Sequence, residues 1–151
     1  MNDIEAQNNS ILNINCSHTL GREKSMIDSP SWVVTYGVTE SLIKKFNVKN
    51  IVEIGVCRGH HSAHLLEAIP NLHVYSVDPW GLYFDEYNNM YEYHTLAEDE
   101  KIYNQVRQLL IPFGSRSTIL RLTSRRAAAS IKEPVDMVYL DGDHSYEGYK
   151  D

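Results

Sequence analysis

A chain of 151 residues that is 42% hydrophobic and 23% charged has the length and composition of one globular domain with a sizeable core. Its net charge of −6 excludes a broad phosphate-neutralising surface, so nucleic acid is not an expected partner; the basic spot of Arg116, Arg121, Arg125 and Arg126 is too small to reverse that balance. No run approaches the roughly 18 apolar residues of a membrane span, so no membrane partner is expected.

The opening MNDIEAQNNSILNINCS has neither the basic nor the apolar region of a signal peptide. Cys16 and Cys57 are far apart and form no CxxC pair, which argues against a disulfide framework or structural zinc. A cytoplasmic protein is the expectation.

In chain order, residues 1–30 are polar, rich in Asn and Ser and without periodicity, and read as a flexible or capping arm. The domain proper is expected over 31–151. TESLIKKF (39–46) predicts a helix with Thr39 as N-cap and Leu42, Ile43 and Phe46 at helical spacing. IVEIG (51–55) predicts a buried strand, SAHLLEAI (62–69) a helix stopped by Pro70, and HVYSVD (73–78) a second strand. TLAE at 95–98 is a capping box opening a helix with Ile102, Val106, Leu109 and Leu110 on one face, ended by Pro112. TILRL (118–122), SRRAAASI (124–131) and VDMVYLD (135–141) supply a third strand, a further helix and a fourth strand. Strands alternating with helices define an α/β, Rossmann-like doubly wound parallel sheet.

Such sheets bind ligands beyond the carboxyl ends of their strands. The first strand runs into EIGVCRGHHSA, where Gly55 and Gly59 make G-x-x-x-G. A dinucleotide fingerprint would be G-x-G-x-x-G, and its middle glycine, which lets a backbone touch pyrophosphate, is replaced by Cys57. A wider glycine turn preceded by an acid suits a cofactor with an ammonium and a sulfonium but no pyrophosphate, namely S-adenosylmethionine (SAM). The second strand ends in Asp78, about twenty residues on, where an acid accepts hydrogen bonds from ribose hydroxyls.

IVEIGVCRGHHSAHLLEAI, VYSVDPW and VDMVYLDGDHSYEGYKD together resemble the motifs of class I SAM-dependent methyltransferases. The likeness is to the small-molecule O-methyltransferase-like group, which includes cephalosporin hydroxylase-like proteins and sugar O-methyltransferases. It covers about residues 50–151. The resemblance implies Glu53, Gly55, Val56 and Gly59 at the methionine end of SAM, Asp78 on the ribose, and Thr123 and Ser124 against the adenine. It implies a small-molecule acceptor such as a sugar, phenol or natural-product hydroxyl. In metal-dependent relatives the fourth strand ends in a metal-binding acid, here Asp141, so Mg²⁺ is a candidate second cofactor. His144 stands where some relatives carry a lysine base, and histidine is a suitable general base near neutrality. The relatives' other metal ligands follow a fifth strand. The full fold has seven strands and about four are read here, so a fragment of a longer domain is expected.

Plainer readings stay open at each position. Gly55 and Gly59 could form a tight turn without a ligand, Asp78 could cap a turn, and Asp141 or Asp143 could cap a helix over SYEGYKD. His144 could be a packing residue. His60, His61 and His64 are spaced as helical metal ligands might be, but no second cluster supports zinc. Cys57 has no evident base partner. Six of the sixteen residues in 79–94 are Trp, Tyr or Phe, which suits either a substrate lid or a helical oligomer contact, so a homo-oligomer is compatible with the sequence. Two rival functions also stand: a truncated or inactive SAM-binding module, and an NAD-linked oxidoreductase.

Overall fold

The computed structural model describes residues 31–81 and 95–144, without the side chains of 31–34. The chain divides into two units, Met1–Pro30 and Ser31–Asp151. The expected arm at 1–30, most of the aromatic stretch and the helix over SYEGYKD lie outside the described residues.

The short apolar runs pair edge to edge, and the central two, Asn50–Ile54 and His73–Val77, are buried on both faces. Strands β1 (Asn50–Ile54), β2 (His73–Val77), β3 (Ser117–Leu120) and β4 (Met137–Leu140) form one parallel sheet in the order β3-β2-β1-β4. Ile54 lies level with Val77 on one side and with Leu140 on the other, so these strand ends form one rim. Strand order reverses direction at β1, which puts the switch point between β1 and β4.

Helices α1 (Ser31–Phe46), α2 (His60–Ala68) and α3 (Leu96–Leu110) bury Ile43, Leu65, Leu66, Val106 and Leu110 with Ile51 and Val74 of the sheet. A separate cluster joins Val52, Tyr75 and Val77 to Ala127 of α4 (Ser124–Ser130). The alternation of Ile51 and Val52 between the two clusters is the two-residue period of a strand with helices on both sides. On β4, Val138 and Leu140 stay exposed. Among the described residues no helix is long and apolar enough to cross a membrane.

The first helix differs from its sequence reading. It begins at Ser31, so Thr39 is an interior residue whose hydroxyl donates to the Thr35 carbonyl at 3.0 Å. That back-bond satisfies the hydroxyl inside a helix, which is why a good capping residue does not start one here. The helix ends in a tight C-terminal motif. Asn47 takes φ 54°, its N–H reaches the Lys44 carbonyl at 3.4 Å, and the Val48 N–H reaches Ile43 at 3.0 Å. Ile43 and Val48 are both buried, as this cap favours.

At the start of α3 the capping box forms as read. Thr95 Oγ1 accepts from the Glu98 N–H at 3.3 Å, and Glu98 Oε2 accepts from the Thr95 N–H at 2.8 Å. Beyond Leu110 the chain continues through a 3₁₀ turn, Ile111–Arg116, in which Pro112 sits near the start. Strands β3 and β4 are shorter than their apolar runs; the Leu122 N–H turns back to the Leu120 carbonyl at 2.9 Å, and Val135 packs beside the second cluster before β4 begins.

Two predictions test these local devices. Thr95→Ala should lower stability by about 1 kcal/mol in urea denaturation. Asp136, whose carboxylate accepts from the Asn50 and Lys49 N–H groups at 2.9 and 2.8 Å, has its pKa held below the ordinary 3.8 by those bonds. Its stabilising contribution is therefore present above pH 3.8 and is lost as pH falls below it. Asp136→Asn should flatten that part of the acid denaturation profile.

Candidate active site

Gly55 leaves β1 with φ 87° and donates its N–H to the Val77 carbonyl at 2.9 Å. A Cβ here would lie 2.3 Å from the Asp141 carbonyl oxygen and 2.6 Å from the Gly142 Cα. Residue 55 must lack a side chain because the exit of β4 passes directly against it. The Asp141 N–H completes the contact by donating to Ile54 at 2.8 Å. The chain then makes a four-residue turn in which the Gly59 N–H reaches the Val56 carbonyl at 2.9 Å. Cys57 in this turn is left-handed (φ 51°), a conformation that costs a non-glycine residue about 1–2 kcal/mol. Gly59, at φ 78°, is the N-cap of α2, and a Cβ on it would press the Val106 side chain at 3.2 Å.

The strained turn is held from β2. Asp78 Oδ2 accepts from the Val56 N–H at 3.0 Å and the Cys57 N–H at 2.9 Å, while Oδ1 accepts from the Trp80 N–H at 2.9 Å. Burial raises the Asp78 pKa above its ordinary 3.8, against the opposing pull of the bonds from Cys57, Trp80 and Val56. Trp80, buried and itself left-handed at φ 39°, returns its indole N–H to the Cys57 carbonyl at 2.8 Å. Arg121 braces this turn from β3's exit, donating to the Trp80 carbonyl at 2.8 Å, pairing with Glu100 at 2.7 Å and lying 4.4 Å over the Tyr103 ring.

Glu53 stands inside the fold. Its side chain is 3% exposed; Oε2 accepts from the Ser62 hydroxyl, and Oε1 lies 3.3 Å from His61 Nδ1. Ser62 Oγ is also 2.7 Å from Ser76 Oγ on β2. The His61 ring is stacked on Tyr36 at 4.7 Å and tilted against Tyr139 at 4.4 Å, and its Nε2 has no hydrogen-bond partner among the described residues. The three histidines of α2 do not converge: His64 Nε2 pairs with Glu40 at 3.1 Å on α1, whereas His61 turns to Glu53. Among the described residues no three His, Cys, Asp or Glu side chains gather as a metal site.

Thr123 is buried and caps α4 by accepting from the Arg126 N–H at 3.4 Å, and Ser124 is exposed beside it. Both stand at the end of β3, one strand beyond Asp78. Asp141 is half exposed, with Oδ1 3.4 Å from Nε2 of the more exposed His144. The rim thus brings together Gly55, Val56, Asp78 and Asp141, with His144 beside Asp141. Thr123 and Ser124 follow β3, the neighbour of β2, and Glu53 is bonded to Ser62 and His61 of α2. Sequence reading missed Trp80 and Arg121. The Asp-Pro-Trp-Gly run is a turn signal, but nothing in it announces that the indole reaches back to residue 57.

Residues 52–151 match the family model of a methyltransferase domain. That is more than half of the chain, and the chain belongs to this family. No curated protein matches it. Among solved structures, a Staphylococcus aureus protein assigned as a caffeoyl-CoA O-methyltransferase is 18% identical with a TM-score of 0.58, over 99% of this chain and 60% of that one. A Bacillus cereus O-methyltransferase in complex with SAH (S-adenosylhomocysteine) is 19% identical with a TM-score of 0.53, over 91% and 52%. An SAH-bound methyltransferase of Podospora anserina is 14% identical with a TM-score of 0.53, over 99% and 63%. At these identities the likeness establishes the fold, and the chain spans between half and two-thirds of the length of these relatives.

The crowding at residue 55 predicts that Gly55→Ala will cost about 3 kcal/mol or more, because the obstacle is backbone and cannot rotate away. A urea midpoint within error of the parent protein would contradict this account of the rim.

Proposed function

We propose that the chain binds SAM at the β1–α2 turn and supports methyl transfer to a hydroxyl of a small molecule in the cytoplasm. The observation that carries this reading is the junction of the glycine turn, Asp78 and Asp141 at the switch point of the sheet. Gly55, Val56 and Gly59 offer side-chain-poor backbone to the methionine end of the cofactor. Asp78 Oδ1 accepts one bond from Trp80 and keeps acceptor capacity for a ribose hydroxyl. Thr123 and Ser124 flank the adenine side. Glu53 acts from behind the turn, fixing the first turn of α2 through Ser62 and His61.

Bound SAM supplies an electrophilic methyl group. The protein's own work is to place the acceptor and take its proton. Asp141 orients the hydroxyl and His144, 3.4 Å away, receives the proton. A divalent cation at Asp141 is the finer part of this proposal. Among the described residues no three His, Cys, Asp or Glu side chains gather there, short of the six oxygen ligands Mg²⁺ prefers, so no step is drawn through it.

Two measurements test the proposal. SAM or SAH at a hundred times Kd should stabilise the protein by about 2.7 kcal/mol in thermal denaturation; no shift with either ligand would remove the cofactor assignment. Asp141→Asn and His144→Ala should each lower methylation of hydroxyl acceptors by about 100-fold or more while leaving SAH affinity unchanged. Turnover insensitive to chelation and to Asp141→Asn would remove the metal. SAM binding without turnover on any hydroxyl acceptor would favour the binding-module reading.

A further inference from the structure

Two successive backbone N–H groups aimed at one point form the kind of concavity that elsewhere cradles a phosphate. In this chain the Val56 and Cys57 N–H groups make such a pair, and both already point at one oxygen of Asp78, at 3.0 and 2.9 Å. We infer that Asp78 is an internal anion occupying the turn's phosphate position, and so a specificity-determining residue that bars pyrophosphate cofactors from the site. The inference rests on the reading that the turn is the cofactor site, and it assigns the cofactor discrimination to one side chain.

The carboxylate is not free to swing aside. Its own N–H is tied to the Leu120 carbonyl at 3.2 Å, and its second oxygen holds the Trp80 N–H at 2.9 Å. Trp80 in turn donates its indole N–H to the Cys57 carbonyl, so residue 57 has both backbone groups satisfied by the 78–80 segment. Arg121 fixes that segment at the Trp80 carbonyl, from a different strand. A pyrophosphate approaching the turn would find its two donors taken and a negative charge in their place. A ligand presenting hydroxyls to Asp78 meets no such obstacle.

The replacement of a middle glycine by Cys57 bears on the shape of the turn. Asp78 bears on its charge, and the two can be separated experimentally. Asp78→Ser removes the carboxylate and withdraws the acceptor, exposing both N–H groups. Asp78→Asn keeps an oxygen that can cover them.

The test is titration of the ¹⁵N-labelled full chain with inorganic pyrophosphate, NAD and SAH, following the Val56 and Cys57 amide resonances, with affinities from calorimetry. In the parent protein SAH should bind, and neither pyrophosphate nor NAD should give saturable shifts at those amides. Asp78→Ser should gain saturable pyrophosphate shifts there, with at least tenfold tighter binding than the parent, and Asp78→Asn should gain none. Saturable pyrophosphate binding at residues 56 and 57 of the parent protein overturns the inference, and so does a folded Asp78→Ser that gains nothing. Should the serine variant not fold, the parent titration still decides. Loss of SAH binding in the parent counts against the methyltransferase reading, whereas the pyrophosphate arms judge the role of Asp78 alone.

Discussion

The absence of a side chain at residue 55 is the constraint on which the rest of the rim depends. A single methyl group there would lie 2.3 Å from the Asp141 carbonyl, so the exits of β1 and β4 could not meet. With hydrogen in that place, β4 pairs with β1 up to Leu140, and Asp141 emerges beside the glycine turn. The separation of the glycine turn from Asp141 is thus set by backbone packing rather than by flexible side chains. Preorganisation of this sort is what the proposed methyl transfer would require.

A second layer of support is polar and buried. Glu53, Ser62 and Ser76 join β1, α2 and β2 in a chain of hydrogen bonds among wholly buried side chains. An acid in a strand interior is costly unless its oxygens are engaged, and here both are. The arrangement orients the first turn of α2 and with it Gly59. Glu53, which sequence reading placed at the methionine end of SAM, is joined in the structure to His61 and Ser62 at the start of α2.

The parts of the fold that were legible in the sequence are those governed by short-range rules. The capping box at Thr95 is readable because two side chains three residues apart satisfy each other's backbone. The strands are readable from their short apolar runs, buried on both faces in β1 and β2, and the order of elements then implied the parallel sheet. Thr39 misled because a threonine hydroxyl can serve a helix interior as well as its start. The attachment of Asp78 to residues 56 and 57 was not legible, since it spans more than 20 residues and needs a left-handed cysteine. Position 78 was marked as important by spacing, but spacing could not say which way its carboxylate turns. The same holds for Arg121, whose partners come from two separate segments, the 79–80 turn and α3.

The indole of Trp80 gives the protein a built-in optical probe. The chain has two tryptophans, and the other, Trp32, belongs to α1. Trp80 is bonded through its ring nitrogen to the Cys57 carbonyl in the glycine turn and packs against Tyr103 at 5.2 Å. Its emission colour and lifetime are coupled to the polarity and rigidity of that one loop. A change in the turn would then be expected to alter the Trp80 share of the intrinsic fluorescence.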